Sequence, residues 1–221
     1  MEVLGIDVWR GRWLAASLGD GPHPRFSVWA SLAECLAAHP RAAAAAVDIP
    51  IGVPAAGHRQ ADLLVRSAIG PRRSSVFPCP PRAVLETADY REALALARSQ
   101  FGFGISAQSH ALRSRILEAD EVRDPRVHEA HPELSFTLLG GAPADHPKRS
   151  WNGQMERRRR LAAAGIEVPD QIGGAVGGAP ADDVLDAAVL AWTARRIARG
   201  AAVALPDPPE EIGGRRVAIW A

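Results

Sequence analysis

Three aspartates lie close together in the stretch A-D-D-V-L-D-A-A-V-L-A-W-T-A-R-R, residues 181–196, which otherwise has the apolar character of a core helix. Asp182 and Asp186 are four residues apart and Asp183 and Asp186 are three apart, so on a helix their carboxylates share a face and repel one another. Helix capping accounts for Asp182, and the positive end of the helix dipole accounts for Asp183. Neither explanation suits Asp186, which lies further inside the helix. Carboxylates grouped in this way usually require a cation.

Two further carboxylates come at the ends of predicted strands. Asp7 lies at or near the end of the apolar run 3–8, and Asp48 ends the run 42–48. Ligands of open α/β sheets collect at the carboxyl ends of strands, and Mg²⁺ and Mn²⁺ prefer the oxygen ligands that aspartate offers. A pair of such ions promotes hydrolysis of phosphodiester bonds. The aspartates therefore predict an Mg²⁺ or Mn²⁺ site. An aspartate that starts a turn, an ordinary strand-end carboxylate and a helix cap remain the alternatives for Asp7, Asp48 and Asp182.

Basic and hydroxyl side chains near a proline-rich stretch are candidate contacts for a substrate. Arg72 and Arg73 precede Ser74 and Ser75 in the segment G-P-R-R-S-S-V-F-P-C-P-P-R. Two guanidinium groups and two hydroxyls can bind phosphate oxygens, which makes these four residues predicted substrate-binding residues. The alternative is that the arginines pair with acidic residues at the surface.

A second basic group lies later in the chain. Lys148, the only lysine among 26 basic residues, is followed by Arg149 and by the run Arg157–Arg160. We predict that Lys148 also contacts substrate and that the arginines extend a phosphate-binding surface. A solvent-exposed helix face is the alternative for the four-arginine run. The formal net charge of +1 gives no global attraction to nucleic acid, so any such binding depends on local patches of this kind.

Composition predicts a globular protein of the cytoplasm. Hydrophobic residues make up 47% and charged residues 23% of the 221 positions, which is ordinary for a globular domain. Cys35 and Cys79 match no metal-ligand spacing and are predicted to be reduced thiols. The N-terminal residues lack the features of a signal peptide. No apolar run approaches the roughly 20 residues of a membrane span, so we expect no membrane partner.

Hydrophobic periodicity and turn signals predict an α/β layered domain with a mixed sheet. The predicted strands are residues 3–8, 13–18, 25–29, 42–48, 126–130, 203–205 and 217–220. The predicted helices are residues 32–38, 57–68, 88–100, 106–119, 154–164 and 181–199, with another that begins at His131. Ser31 and Glu34 form a capping-box pattern before the first helix. The first strand is expected to be central, beside the strand that ends at Asp48. Proline-rich stretches between about 50 and 125 indicate an insertion.

Seven stretches of the chain resemble a known family. They are G-I-D-V-W-R-G-R-W at 5–13, V-D-I-P-I-G-V-P at 47–54, G-P-R-R-S-S-V-F-P-C-P-P-R at 70–82, G-I-S-A-Q at 104–108, H-E-A-H-P-E-L-S-F at 128–136 and D-D-V-L-D-A at 182–187, followed by A-W-T-A at 191–194. In this order and over almost the whole chain, they resemble the domain of unknown function 429 family, a group of predicted nucleases of ribonuclease H-like fold. One departure is Ala130, where related members often carry valine.

The resemblance implies a ribonuclease H-like three-layer α/β fold. Its mixed five-stranded sheet has the order 3-2-1-4-5, with helices on both faces and a helical and loop insertion after strand 4. The chain would then be a single domain over residues 1–221, with the insertion at about 50–125. Some nucleases of this fold act as dimers on two-fold symmetric substrates, which leaves a homodimer open.

The resemblance also implies roles for individual acidic residues. Asp7 and Asp48 would occupy the positions of the superfamily's acidic residues on strands one and four, and Asp183 and Asp186 would occupy its C-terminal helix position. All four would be catalytic and would hold the metal. Glu133, in the H-P-E motif, is a further catalytic candidate, either as a ligand or as a support for the loop.

The predicted function is therefore that of a divalent-metal-dependent nuclease, with nucleic acid as partner and Mg²⁺ or Mn²⁺ as cofactor. One alternative is a non-catalytic nucleic-acid- or protein-binding module on the same fold. Another is a phosphotransferase related to the actin-like ATPases, although those proteins need two copies of the fold and 221 residues with a large insertion hold one. DNA or RNA, endonuclease or exonuclease, and a small phosphorylated substrate all stay open.

Overall fold

The computed structural model describes all 221 residues of the chain. The strands are β1 (Glu2–Trp9), β2 (Arg12–Leu18), β3 (Arg25–Trp29), β4 (Ala42–Val47), β5 (Val127–Glu129), β6 (Ala204–Ile212) and β7 (Arg215–Trp220). The helices are α1 (Leu32–Ala38), α2 (Gln60–Ala68), α3 (Arg82–Glu86), α4 (Tyr90–Leu96), α5 (Ala107–Ala111), α6 (Arg113–Glu121), α7 (Pro132–Gly140), α8 (Trp151–Ala163) and α9 (Ala181–Ala198). Short 3₁₀ segments cover Gly70–Ser75 and Gly174–Gly178, and a π-helical turn covers Ala97–Phe101.

The chain forms two compact units. The first contains residues 1–49, 124–203 and 220–221, and the second contains residues 50–123 and 204–219. No helix in either unit combines the length and the apolar character that crossing a membrane requires.

The five-stranded sheet of the first unit has the strand order that the resemblance implied. Its strands lie in the order β3-β2-β1-β4-β5, so β1 is central as predicted. β2 pairs antiparallel with β1 and with β3, whereas β4 pairs parallel with β1 and with β5. Because β1, β4 and β5 run in the same direction, their carboxyl ends meet at one edge of the sheet, where ligands of α/β proteins collect. The α/β fold with a mixed sheet is therefore confirmed.

Helix α9 lies directly on one face of this sheet. Its apolar side chains share a core with inward-facing residues of β1, β2 and β4. A Cβ atom at Gly5 would collide with the backbone of Ala187 and Ala191, so only glycine allows the helix to come this close. Side chains alternate along a strand, and Asp7 therefore points to the same face as Gly5. The packing of α9 thus brings its own aspartates towards the end of β1.

Helix α1 packs against β2 and β3 and forms as the sequence predicted. The Ser31 hydroxyl accepts the backbone N–H of Glu34 at 3.1 Å, which satisfies one of the unpaired donors at the helix start. Cys35 is a buried free thiol on this helix, and burial raises its pKa to about 12. Leu4 and Ile6 of β1 are fully buried on the sheet face opposite Gly5.

The second unit combines helices α2–α6 with a two-stranded sheet of β6 and β7. Glu210 of β6 accepts the first two backbone N–H groups of α2, at 3.1 and 2.8 Å, and so caps a helix whose own N-cap residue makes no side-chain bond. Arg59 and Asp62 form a buried ion pair. Asp62 also accepts the backbone N–H of Cys79 at 2.8 Å. Cys79 is likewise buried and forms no disulfide.

The two strands of the second unit are longer than predicted, since the sequence suggested only residues 203–205 and 217–220. Three prolines in L-P-D-P-P argue against a strand, but in a two-stranded sheet each strand keeps one edge without a partner and tolerates residues that lack an N–H. Gly213 and Gly214, with φ of 58° and 73°, form the turn between them. Two successive positive φ angles are the requirement of the commonest two-residue hairpin turn.

Candidate active site

Asp7 lies inside the central strand. It pairs in register with Leu14 of β2, and β1 continues for two residues beyond it. Its side chain is 8% exposed, and its carboxylate accepts the backbone N–H of Val8 at 2.6 Å. The alternative of an aspartate that starts a turn is therefore wrong, since the turn begins only at Arg10, which has φ of 50°. A buried carboxylate on the α9 face of the sheet needs a polar or charged environment there.

Asp48 follows β4 and Glu129 ends β5, and both strands run in the same direction as β1. The backbone N–H of Asp48 donates to the carbonyl of Ile6 at 2.8 Å, so Asp48 extends the ladder between β4 and β1. Glu129 is the last residue of β5, pairs in register with Val47, and is buried. Sequence reasoning missed Glu129, although it stands in the same H-E-A-H-P-E motif as Glu133 and ends a strand as Asp7 and Asp48 were predicted to do.

The aspartates of α9 do not cap the helix. Pro180 is the N-cap residue and no side chain accepts a hydrogen bond there, so the prediction that Asp182 is the cap is wrong. Asp182 instead accepts a hydrogen bond from Arg149 at 3.3 Å. Asp186 is only 1% exposed, whereas Asp183 is partly exposed. The helix therefore carries two buried carboxylates and one half-buried carboxylate in its first two turns.

Lys148 places an ammonium group among these carboxylates. Its Nζ donates to Oδ2 of Asp186 at 2.6 Å and lies 4.0 Å from Oδ2 of Asp182. Burial lowers the pKa of Lys148, but the carboxylates of Asp186, Asp7 and Asp48 raise it by more, so the group stays a cation. The sequence predicted Lys148 as a contact for substrate. The structure places it among the carboxylates of Asp7, Asp48, Asp183 and Asp186, which we call the acidic cluster.

The loop that carries Lys148 is held in place by α8. Glu156 accepts the backbone N–H groups of Asp145 and His146, at 3.0 and 3.2 Å. A Cβ atom at Gly153 would collide with the Pro147 carbonyl, so glycine allows the helix to pack against the loop. These contacts fix the loop backbone immediately before residue 148.

Arg157 links this loop to α7 through the interior. Its guanidinium is fully buried, donates to Oε1 of Glu133 at 2.6 Å and to the His146 carbonyl at 3.1 Å, and lies over the ring of Phe136. The Arg157–Arg160 run was predicted to be a phosphate-binding surface or a solvent-exposed face. Both predictions are wrong for Arg157, and Arg160 bonds to the carbonyls of Phe136 and Ala142. Arg157 and Arg160 therefore connect α8 to α7 and to the loop between them, because one guanidinium can bond to several carbonyls and a carboxylate at once.

Burial and mutual repulsion make the aspartates of the cluster hard to ionise. Burial and the neighbouring carboxylates of Asp48 and Asp186 hold the pKa of Asp7 well above its usual range. Burial, with repulsion from Asp186, raises the pKa of Asp48 to about 8. Burial also raises the pKa of Asp183, to about 6, and that of Asp186, which Lys148 lowers in part. Like charges gathered in a site of this kind are typical of functional sites.

Two carboxylate oxygens, one in the acidic cluster and one beside it, have no hydrogen-bond donor. Oδ1 of Asp186 and Oε2 of Glu133 are both buried and without a partner. Repulsion from the Glu133 carboxylate also contributes to the raised pKa of Asp186. A buried carboxylate oxygen without a partner costs free energy, and each such oxygen is a candidate ligand for a cation or a donor group.

A family model supports the resemblance inferred from the motifs. The model described as "protein of unknown function (DUF429)" matches residues 5–211, nearly the whole chain. The chain belongs to the DUF429 family. No curated protein and no solved structure matches it. The DUF429 description assigns no activity, so the chemistry has to be argued from the residues themselves.

The donor set of this DUF429 chain suits a hard divalent cation in its chemistry. The ligands on offer are carboxylate oxygens, one of them buried and unpartnered, which is the kind of ligand that Mg²⁺ and Mn²⁺ prefer. No three histidine, cysteine, aspartate or glutamate side chains are arranged so that they could already hold a metal ion. The ammonium group of Lys148 is the cation among them. The ligand chemistry of these residues thus fits Mg²⁺ or Mn²⁺, whereas in their present arrangement Lys148 is the cation that pairs with Asp186.

The remaining predicted substrate contacts belong to the second unit. Arg72, Arg73, Ser74 and Ser75 lie on the 3₁₀ segment Gly70–Ser75, where the Ser75 hydroxyl donates to the Arg72 carbonyl at 2.8 Å. The acidic cluster and Lys148 lie wholly in the first unit. The role of the four residues as phosphate contacts stays a prediction.

Proposed function

We propose that this protein is a divalent-metal-dependent phosphodiester hydrolase, a nuclease, whose reaction takes place at the acidic cluster of the first unit. The observation that carries the proposal is the gathering of Asp7, Asp48, Asp183 and Asp186 at one sheet edge, with pKa values raised by burial and by one another. A fold gains no stability from such repulsion, so the arrangement needs a functional reason.

The carboxylates of Asp7, Asp48, Asp183 and Asp186 would hold Mg²⁺ or Mn²⁺. The bound ion would supply the charge that activates a water molecule and stabilises the leaving oxygen of a phosphodiester. β1 and β4 would keep the first two carboxylates fixed at the sheet edge, and α9, seated on Gly5, would keep the others fixed opposite them. Rigid elements on both sides favour a preorganised site.

The residues around the cluster would orient the reacting groups. Lys148 would offer an ammonium group to the charge that develops on phosphate oxygens. The Arg157–Glu133 pair would hold α7 and the 145–150 loop at a fixed separation, which matches the loop-supporting role predicted for Glu133. Arg72 and Arg73, with the adjacent serines, would contact the backbone of a nucleic acid, a contact that carries no sequence preference.

A second candidate function is a non-catalytic nucleic-acid- or protein-binding module on the same fold. One observation favours it: Lys148 already neutralises Asp186, and no three ligating side chains are set to receive an ion. In that case the cluster would be a structural feature stabilised by the lysine. Removal of Asp7 would then leave binding intact.

The experiment that tests the proposal is hydrolysis of single-stranded DNA and RNA, duplexes and four-way junctions with Mg²⁺, Mn²⁺ or EDTA. We expect cleavage of at least one substrate with either ion, none with EDTA, and a loss of 100-fold or more in Asp7→Asn, roughly the loss that follows removal of a main catalytic group. Asp170→Asn is the matched control, because the Asp170 side chain is 94% exposed and lies outside the cluster. Cleavage that survives Asp7→Asn, or that persists in EDTA, would contradict the proposal.

A further inference from the structure

Lys148 is the one position at which this chain uses lysine, since the other 25 basic residues are arginine. The two side chains differ in form: an ammonium group is a compact charge with three donors, whereas a guanidinium is a broad planar fork. The chain uses arginine for internal ties such as Arg157 and the compact cation only where carboxylates from several elements converge. The choice of residue therefore points to a position that accepts a small cation.

The two carboxylate oxygens of Asp186 differ in their contacts. Its Oδ2 accepts Nζ of Lys148 at 2.6 Å, while its Oδ1 is buried and has no partner. The carboxylate is 1% exposed and so cannot turn to water for its second hydrogen bond. One of its oxygens is committed to the ammonium group, and the other remains available.

Lys148 is also fixed too well to be a chance surface contact. The loop before it is bonded to Glu156 and Arg157, and Ser150 just after it caps α8 by accepting the N–H of Gly153 at 3.1 Å. Its side chain is only 35% exposed, whereas that of the next residue, Arg149, is 85% exposed. The fold thus bonds Lys148 to the buried Asp186, whereas Arg149 bonds to Asp182 and keeps its side chain largely exposed.

We propose that Lys148 takes the place of one of the two divalent ions that such an acidic site can hold, so that the site binds a single Mg²⁺ or Mn²⁺. The inference rests on the proposed function and specifies its metal content. The ammonium group occupies one side of Asp186 permanently. The unpartnered Oδ1 of Asp186, with Asp7 and Asp48, serves the single divalent ion. Lys148 stays bonded to Asp186 when the ion binds.

The first test counts Mn²⁺ bound to the full chain, by calorimetry and by the electron paramagnetic resonance signal of free Mn²⁺. We expect one ion in the wild type, and two in Lys148→Ala, with the first bound roughly tenfold or more tightly because a like charge has been removed. Lys148→Arg keeps the charge and should still bind one. Arg25→Ala is the matched control, because it removes an exposed positive charge on β3, and it should bind one ion with unchanged affinity.

The second test uses the wild type alone, so it does not depend on the folding of any variant. Lys148 is the only lysine, and its acetylation by an activated ester can therefore be followed by mass spectrometry of one peptide. We expect protection of 100-fold or more relative to the same lysine in urea, and no loss of protection when Mn²⁺ is saturating. Displacement of the lysine by the ion would expose it and raise its reactivity tenfold or more, which would overturn the inference.

The outcomes separate the inference from the proposed function. Two Mn²⁺ ions in the wild type, or one in both the wild type and Lys148→Ala, would overturn the role of Lys148 and leave a metal-dependent hydrolase standing. No Mn²⁺ on the wild type and none on Lys148→Ala would overturn both.

Discussion

Asp48→Asn should stabilise the protein at alkaline pH and have little effect at acid pH. The Asp48 pKa of about 8 in the folded chain, against an ordinary 3.8, means that the folded state holds a proton that the unfolded state has lost between these two pH values. Stability therefore falls as pH rises through this window and is constant above it. At about 1.4 kcal/mol per pH unit the full loss is roughly 6 kcal/mol. Asp48 is partly exposed, so solvent screening reduces this to roughly 3 kcal/mol.

Asparagine keeps the size of the side chain and cannot ionise, so Asp48→Asn should escape this loss. Urea unfolding in EDTA at pH 4.5, 6.5 and 8.5 measures the difference directly. We expect the variant to match the wild type at pH 4.5 and to exceed it by roughly 3 kcal/mol at pH 8.5. Asp170→Asn should show no pH-dependent difference. A variant that is equal to or less stable than the wild type at pH 8.5 would contradict the conclusion that burial and repulsion hold a proton on Asp48.

Three further predictions concern the packing of the site and its protons. Gly5→Ala should displace α9 from β1 and lower the free energy of unfolding by about 3 kcal/mol or more, because the added methyl group overpacks the contact. Urea unfolding should show a lower midpoint, and an unchanged midpoint would contradict the close approach of α9 to β1. Arg157→Met should lower the free energy of unfolding by about 3–5 kcal/mol, because Glu133 is left as an unpaired buried charge. The double variant with Glu133→Gln should recover much of this loss, and no recovery in urea unfolding would contradict the pairing of Arg157 with Glu133. Mn²⁺ affinity should rise with pH up to about 8 and then level off, because the ion competes with the proton on Asp48. Asp48→Asn should remove the upper part of that rise. A calorimetric titration between pH 6 and 9 in which the affinity does not change would contradict the Asp48 pKa of about 8.

Local signals in the sequence were sufficient for most of the elements of the first unit. Ser31 and Glu34 marked the start of α1, and the predicted strand 42–48 corresponds to β4. β6 was underestimated because its prolines weaken the strand signal, and the G-G turn that joins it to β7 was overlooked. The description of the chain as one domain with an insertion stays a prediction, as does a homodimer.

The acidic cluster was predictable only in part. Asp7, Asp48 and Asp186 were recognised because strand ends and helix spacing are local patterns, and the sheet order follows from the resemblance. Lys148 was predicted to contact substrate, which stays a prediction, and its bond to Asp186 was not foreseen because it spans 38 residues of sequence and depends on how α8 holds a loop. Buried guanidiniums such as Arg157 look like surface charges in a sequence, since burial is a tertiary property.

The most direct measurement of the central claim is anomalous diffraction from a crystal of the protein soaked in Mn²⁺. We expect a single anomalous peak within coordination distance of Asp7, Asp48 and Asp186, with Lys148 still bonded to Asp186. An acidic cluster without any peak, with Lys148 as its only cation at saturating Mn²⁺, would contradict the claim that these carboxylates are gathered to hold a metal.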